Sequence, residues 1–329
     1  MEHNILLSIC IPTYNRVDYL KQNLDILLPQ LYGYFGEIEI LISDNCSSDN
    51  TQEVIREAVK KSKYPVIYNR NDKNIGGVDN IALVISKSKG RYIYVMGDDD
   101  IPSPNLIQIL MPILKSSEEL SIIHWNRLSG DEKCCNNQVV DGEFADPTEK
   151  MSVPNFIKKI LNKASLISSL VFNRQCWYLG TSFYKEEYLG YNWYGRILYG
   201  ALIYSKNCLY YYFPLLIQRN PPKSWINYWP QYHISCMSSV FLDLDSHIPG
   251  LYDIWSMYLR RNVKNVLPGI MIDKKYYRRA DIKKSLSKHL TQNEIIRMNC
   301  YLYFPFSYTI YRGKNYILRK IIKVLSRWK

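Results

Sequence analysis

Four short apolar runs, each closed by a polar turn and followed by an amphipathic stretch, organise the first hundred residues. They are Leu6 to Ile11 (LLSICI), Ile38 to Ile42 (IEILI), Tyr64 to Tyr68 (YPVIY) and Tyr92 to Val95 (YIYV). Runs of this length, rich in β-branched and aromatic residues, read as buried strands. Between the first two, Leu20, Leu24, Leu27, Leu28 and Leu31 share one helical face. That helix should begin near Arg16 with Asn15 as its N-cap. A second begins near Thr51, where Asp49 and Gln52 have capping-box spacing. A third covers Val78 to Lys87 and is closed by Gly90. The order β-α-β-α-β-α-β requires an α/β architecture: a doubly wound, mainly parallel sheet with right-handed crossovers. In such a sheet the carboxyl ends of the strands share an edge, and ligands bind there. The loops around Asn15, Asp44 and Asp98 should therefore meet.

The last of these loops carries the most chemistry. In RYIYVMGDDDIPSP, Asp98, Asp99 and Asp100 follow a core strand directly, and Pro102 and Pro104 punctuate the turn after them. Adjacent carboxylates repel, and solvent, a basic partner or a hard divalent cation would compensate them. Mg²⁺ and Mn²⁺ prefer oxygen ligands and often combine one or two carboxylates with substrate phosphates. A metal-diphosphate site and a solvated acidic turn are the two readings of this segment alone. No GxGxxG follows the first strand and no GxxxxGK[ST] occurs, which argues against dinucleotide-binding and P-loop proteins.

The 329 residues suit one large domain with an extension, and a 47% hydrophobic content supplies a core. The 29 tyrosines suit wet or sugar-binding clefts and membrane interfaces. No apolar run reaches the roughly eighteen residues of a membrane span. The stretch MEHNILLSICIPTYNR lacks the features of a signal peptide, so a cytoplasmic location is expected. Eight scattered cysteines, without CxxC spacing, read as reduced thiols. The five histidines lack zinc-site spacing, and His124 reads as a core or cleft-wall residue. A net charge of +12 calls for an acidic partner.

SICIPTYN, ILISDNCSSDNT, NIGG and GRYIYVMGDDDIPSP, in that order and spacing, resemble the nucleotide-binding half of inverting family 2 glycosyltransferases of the GT-A fold. The GDDD version is similar to members acting in bacterial surface-polysaccharide (O-antigen or capsule) assembly. The resemblance covers about the first 110 residues firmly and extends loosely to Gln218. It implies a nucleotide-sugar donor, a divalent metal (Mn or Mg) and inversion at the anomeric carbon. Asp44 matches the carboxylate that contacts the donor base, with Asn45 beside it. Pro12, Thr13, Tyr14 and Asn15 would lie against the nucleotide, and Asn74 and Gly76 belong to the NIGG element. Asp98, Asp99 and Asp100 match the DxD metal site, with Asp98 and Asp99 also facing the donor. Two departures stand out: Asp44-Asn45-Cys46-Ser47 lacks the second acid of the family's DDGS, and Gly97-Asp98-Asp99-Asp100 replaces DADD.

These readings divide the chain into a catalytic domain at 1–220, with a nucleotide-sugar half at 1–115 and an acceptor half at 116–220, and a helical C-terminal extension at 221–329. Helices are expected over Leu106 to Lys115 and Phe156 to Leu161, with strands over Ser121 to Trp125 and Cys208 to Ile217. The polar 130–151 stretch reads as a loop or flap. Trp177 to Tyr184 resembles the family's acceptor-side strand. An inverting transfer needs a base to take the acceptor's proton. The family's Glu-Asp pair has no counterpart in Tyr191 to Lys206, so Glu187 is the leading candidate and Glu186 the second. Asp146, His233, Asp243 and Asp245 lie further off.

In the extension, Lys274 to Arg279 is a basic, aromatic cluster. Tyr316 to Lys329 has an apolar helical face opposite Arg319, Lys320, Lys323 and Arg327. Such a helix suits an anionic membrane surface, or packs on the catalytic domain. No nucleic-acid module is visible. The reading that unites these features is an inverting transferase acting on a polyprenyl-diphosphate-linked glycan at the inner face of the cytoplasmic membrane. A nucleotidyltransferase, or a non-catalytic partner in a polysaccharide assembly complex, are the alternatives.

Overall fold

The computed structural model describes residues 5–62, 64, 66–130, 138–139, 147–161, 166–183, 192–219 and 237–259. The chain divides into two compact units, Met1–Pro222 and Lys223–Lys329. In the first unit, β1 (Leu7–Thr13), β2 (Ile38–Asp44), β3 (Val66–Arg70) and β4 (Tyr92–Val95) alternate with α1 (Val17–Leu27), α2 (Thr51–Lys61) and α3 (Gly77–Lys87). Next come β5 (Ile101–Pro102), α4 (Leu106–Leu114), β6 (Ile122–Gly130), β7 (Gln138–Val139), β8 (Thr148–Met151) and α5 (Val153–Ile160). The unit ends with β9 (Leu170–Asn173), α6 (Arg174–Leu179), α7 (Asn192–Tyr204) and β10 (Cys208–Arg219). In the second unit, α8 (Met237–Asp245) packs Phe241 on Trp255, whose indole N–H donates to Ser238 Oγ at 2.9 Å. The basic cluster and the terminal amphipathic segment lie outside the described residues.

The described strands form one sheet in the order β3-β2-β1-β4-β9-β6-β10-β5, with β7 on β6 and β8 on β10. β1 runs parallel to both β2 and β4, and β2 parallel to β3. The register pairs Thr13 with Asp44 and Cys10 with Val95, so the loops after these strands share an edge as expected. The second half is mixed, because β9 runs antiparallel between β4 and β6. β1, β2 and β4 are covered on both faces, which is why they read as continuous apolar runs. Ile9, Ile40 and Tyr94 are wholly buried, and burying a side chain of this size contributes about 1.5–3 kcal/mol.

Two local expectations are corrected. Trp177–Ser182 is α6 and a 3-10 turn, not a strand, and the strand of this region is β9, just upstream. Asn173 ends that strand and caps the helix, its side-chain oxygen accepting the Gln175 N–H at 3.0 Å. The aromatic run that suggests a strand instead lies in a helix packed on α7. Gly180 and Gly200 permit that packing. A Cβ on Gly180 would fall 1.9 Å from the Arg196 carbonyl oxygen, and one on Gly200 1.7 Å from the Cys176 carbonyl oxygen. Both contacts are with backbone, which cannot move aside without parting the helices. Gly200→Ala is therefore expected to lower stability by about 3 kcal/mol, read from the shift in a urea unfolding midpoint. An unchanged midpoint would show that the crossing is looser than this geometry.

The other correction concerns caps. Asn15 does not cap α1; that position is Arg16, and its side chain makes no capping hydrogen bond. Asn15 adopts φ +52°, a left-handed conformation that asparagine tolerates, and its side-chain oxygen accepts the Ser48 N–H at 2.7 Å. Asp49 precedes the α2 cap, Asn50. Its carboxylate accepts N–H groups from Thr51 and, across the gap, Val17. Both side chains thus tie the loop after β1 to the loop after β2.

Candidate active site at the carboxyl edge of the sheet

Asp44, at the end of β2, is wholly buried and fully engaged. Its Oδ1 accepts the Ser47 N–H at 2.8 Å, and its Oδ2 accepts the Tyr68 hydroxyl at 2.7 Å. Arg70 Nε stands 3.6 Å from the same Oδ2. Both partners come from β3, where alternation sends residues two apart to one side. These contacts fix the end of β2 to β3, and only a shift of Tyr68 or Arg70 would open the Asp44 carboxylate to an N–H edge such as a nucleobase presents.

Asn45 lies beside it in a polar lattice. Its Oδ1 accepts from Asn71 Nδ2 at 3.1 Å and the Ile75 N–H at 2.9 Å, while its Nδ2 donates to Asn74 Oδ1 at 2.8 Å. Asn74 Oδ1 also accepts the Gly76 N–H at 2.9 Å. Gly76 takes φ +89° as the turn enters α3, a conformation open to glycine at little cost. Asn80 binds Ser43 through both its Oδ1 and its Nδ2. The NIGG segment is thereby fixed to the end of β2.

The aspartates come next along the edge. Thr13, at the end of β1, donates its hydroxyl to Asp98 Oδ2 at 2.7 Å. One nitrogen of Arg16, Nη1, reaches Asp98 Oδ1 at 3.0 Å and Asp99 Oδ2 at 2.7 Å. Asp100 turns away. Its carboxylate is hydrogen-bonded by Ser168 and accepts the Arg219 backbone N–H at 3.3 Å. Asn23 of α1 donates to the carbonyls of Gly97 and Asp100, both at 3.1 Å, and so clamps the turn from below. Arg219, at the end of β10, donates through Nε to the Asp99 carbonyl at 3.0 Å and stacks over Tyr19.

Burial dominates the electrostatics. It pushes the Asp98 carboxyl up to about 6; Arg16 opposes the shift and Asp99 adds to it. Burial and then Asp99 push Asp100 up to about 7, against its hydrogen bonds from Ser168 and Arg219. Both acids prefer to be neutral, so a cation brought to this turn would be welcome.

The structure gathers Thr13, Asn15, Asp44, Asn45, Asn74, Gly76 and the three aspartates along one edge, with Tyr14 exposed beside them. Pro12 pairs with Ser43 one residue inside it. Glu186, Glu187, Asp146 and His233 lie outside the described residues. Asp243 and Asp245 fall on or beside α8 of the second unit. His124 is a core residue, one of the two expected readings, stacked on Tyr210 with Ser169 Oγ 3.1 Å from its Nε2. Cys10, Cys46, Cys176 and Cys208 are free thiols. Among the described residues no group of three or more His, Cys, Asp or Glu is arranged to hold a metal ion, and none of the helices is long and apolar enough to cross a membrane.

The family model described as glycosyl transferase family 2 matches residues 8–133, which takes in β1 to β6. Over residues 8–133 the chain is similar to family 2 glycosyl transferases. Abequosyltransferase RfbV of Salmonella typhimurium is 27% identical to this chain over 231 residues, 67% of this chain and 68% of that protein. The UDP-Glc:alpha-D-GlcNAc-diphosphoundecaprenol beta-1,3-glucosyltransferase WfaP of Escherichia coli is 38% identical over 95 residues, 29% of this chain and 36% of that protein. Solved structures share the fold at low identity. TarS 1-349 of S. aureus, in complex with UDP-GlcNAc, has a TM-score of 0.65 at 13% identity, covering 87% of this chain and 80% of that one. The mannosyltransferase PcManGT from Pyrobaculum calidifontis, in complex with GDP-Man and Mn²⁺, has a TM-score of 0.56 at 12% identity, covering 97% and 87%. The GT-A architecture expected for this chain is the one it has.

The sequence reading missed Arg16, Tyr68, Arg70, Ser168 and Arg219. Arg16 adjoins a motif that ends at Asn15, and Tyr68 and Arg70 form the strand after Asp44, so their proximity was the available signal. Ser168 and Arg219 reach the aspartates from far along the chain and left no local trace.

Proposed function

We propose that this transferase moves a sugar, with inversion, from a nucleoside-diphosphate donor to a hydroxyl of a polyprenyl-diphosphate-linked glycan in bacterial surface-polysaccharide synthesis. One observation carries the donor site: oxygens from Asp98 and Asp99 converge on a single point, held by Arg16 Nη1, on the same sheet edge as the buried Asp44. Two carboxylate oxygens converging in this way fit a hard divalent cation such as Mn²⁺ or Mg²⁺. When bound, the cation would offset the charge of the departing diphosphate. Asp44, opened by a shift of Tyr68 or Arg70, would receive the base. Thr13, Tyr14 and Asn15 would line the nucleotide, and Asn45, Asn74 and Gly76 would shape the pocket wall. Asp100 braces the turn.

The lipid-linked acceptor is supported by the diphosphoundecaprenol in WfaP's name. The basic segment Tyr316 to Lys329 is the part of the chain suited to the anionic surface where such an acceptor resides. Glu187 is assigned as the base that takes the acceptor's proton, with Glu186 second, on their position after the α6 segment.

The test is transfer itself. With Mn²⁺ and a polyprenyl-diphosphate-linked sugar as acceptor, one nucleotide-sugar of a panel is expected to yield a product of inverted anomeric configuration, read by NMR. Glu187→Gln is expected to slow that reaction by at least about a hundredfold. No product with any donor would sink the proposal, and an unimpaired Glu187→Gln would remove Glu187 from it.

A further inference from the structure

The point on which Asp98 and Asp99 converge is already filled by part of the chain. Arg16 Nη1 lies 3.0 Å from Asp98 Oδ1 and 2.7 Å from Asp99 Oδ2. The two carboxylates are 5% and 15% exposed, the arginine 30%. Divalent ions of this class bind oxygen at about 2.0–2.2 Å, so one cannot occupy the point while the guanidinium remains. Occupancy is exclusive.

The backbone of Arg16 is held from both sides. Before it, Asn15 donates its N–H to Ser47 Oγ at 2.9 Å and accepts from Ser48. After it, the Val17 N–H is fixed to Asp49 at 3.1 Å. Yielding the point is thus a movement of the side chain and not of the backbone, and the guanidinium is partly exposed. The reason for an internal cation is energetic. Asp98 is buried beside a second acid, and a buried charge without compensation costs several kcal/mol. Arg16 supplies that compensation in the protein without donor.

We propose that Arg16 is an internal counter-cation that competes with divalent metal for Asp98 and Asp99, holding metal affinity low until a diphosphate draws the guanidinium away. A nucleoside diphosphate brings the negative charge that a guanidinium fork pairs with well. The site then takes metal and nucleotide together and resists metal alone. This inference rests on the metal-diphosphate reading above, and concerns how the chain controls that site.

The experiment is Mn²⁺ binding without nucleotide, followed by the electron paramagnetic resonance of free Mn²⁺, for the parent, Arg16→Gln and Lys21→Gln. Lys21 is a control: an exposed cation further along α1, paired with Asp25 and not with Asp98 or Asp99. Arg16→Gln is expected to bind Mn²⁺ at least tenfold more tightly than the parent, with Lys21→Gln within twofold of it. Equal or weaker binding by Arg16→Gln overturns the competition, as does equal tightening in Lys21→Gln, which would reduce the effect to net charge. Should Arg16→Gln unfold without metal, millimolar Mn²⁺ must restore its melting transition, and absence of rescue also overturns it. No Mn²⁺ binding to any of the three, with UDP or GDP present, would defeat the metal reading itself. Tight binding by the parent alone would defeat only the role of Arg16.

Discussion

Asp98→Asn is expected to slow sugar transfer by about a thousandfold and yet raise the melting temperature at neutral pH. The two effects share a cause. The Asp98 carboxylate is buried and beside Asp99, and the folded protein holds its carboxyl up at about 6 from an ordinary 3.8. Keeping it ionised above that value opposes folding, by roughly 3 kcal/mol at 1.36 kcal/mol for each unit. Asparagine has almost the same shape, no charge, and an oxygen that still accepts from Thr13. Arg16 keeps Asp99 as its partner, so no buried cation is stranded. On the proposed function, the same substitution removes one of the two oxygens that would converge on a cation at the donor diphosphate, and electrostatic contributions of that kind are worth about 3–4 kcal/mol of barrier. Calorimetry and a transfer assay on one preparation test both halves. Loss of stability together with activity would mean that Asp98 serves the fold more than the chemistry.

The parent itself is expected to become less stable on going from mildly acidic to mildly alkaline solution, against the usual behaviour of carboxylates. Asp98 and Asp100 have folded values raised to about 6 and about 7 from an unfolded value near 3.8. Between these limits the folded chain binds more protons than the unfolded one, and stability falls as pH rises through that window. The fall lies between about pH 5 and about pH 7.5. Below the window the ordinary loss returns, since Asp49, held down by its hydrogen bonds from Thr51 and Val17 against the effect of burial, begins to protonate. Urea unfolding across this range, repeated with an Asp98→Asn/Asp100→Asn pair, should give a falling curve for the parent and a nearly flat one for the variant. A parent curve that rises through the window would place the strain elsewhere.

The donor half of this fold was legible because its strands are covered on both faces and its helices on one. Periodicity alone separates LLSICI and IEILI from the leucine stripe of α1. Carboxyl-edge placement then follows from topology, and with it the meeting of Thr13, Asp44 and Asp98. Legibility ends where partners come from far along the chain. Arg219 reaches the aspartate turn from 120 residues away, and Ser168 reaches Gly97 from 71. Neither stands in a pattern, because a single buried contact needs no repeat. The helix over Trp177 to Leu179 was misread because its aromatic residues have strand propensity, while the features that override it, the Asn173 cap and the glycine crossing with α7, act through tertiary packing. Asn15 was misplaced for a related reason: cap and left-handed turn favour the same residue, and only the position of Ser48 decides between them.

The short strand β5 sets how this active site can change over time. Directly after the aspartates, Ile101 and Pro102 pair with Ile217 and Leu216 of β10, and the Ser103 N–H donates to the Leu215 carbonyl at 2.8 Å. With Arg219 fastened to the Asp99 carbonyl, the turn is stitched to the longest described strand of the sheet on its downstream side and clamped by Asn23 at its centre. The amide protons that are bonded here, Gly97 to Ser168 and Ser103 to Leu215, should exchange with solvent only when these contacts come apart, more slowly than those of a surface loop. A rigid donor turn leaves little scope for tuning by local motion. Divergence in sugar or nucleotide preference is then to be sought in the side chains that face the turn, while the turn itself is inherited as a fixed part.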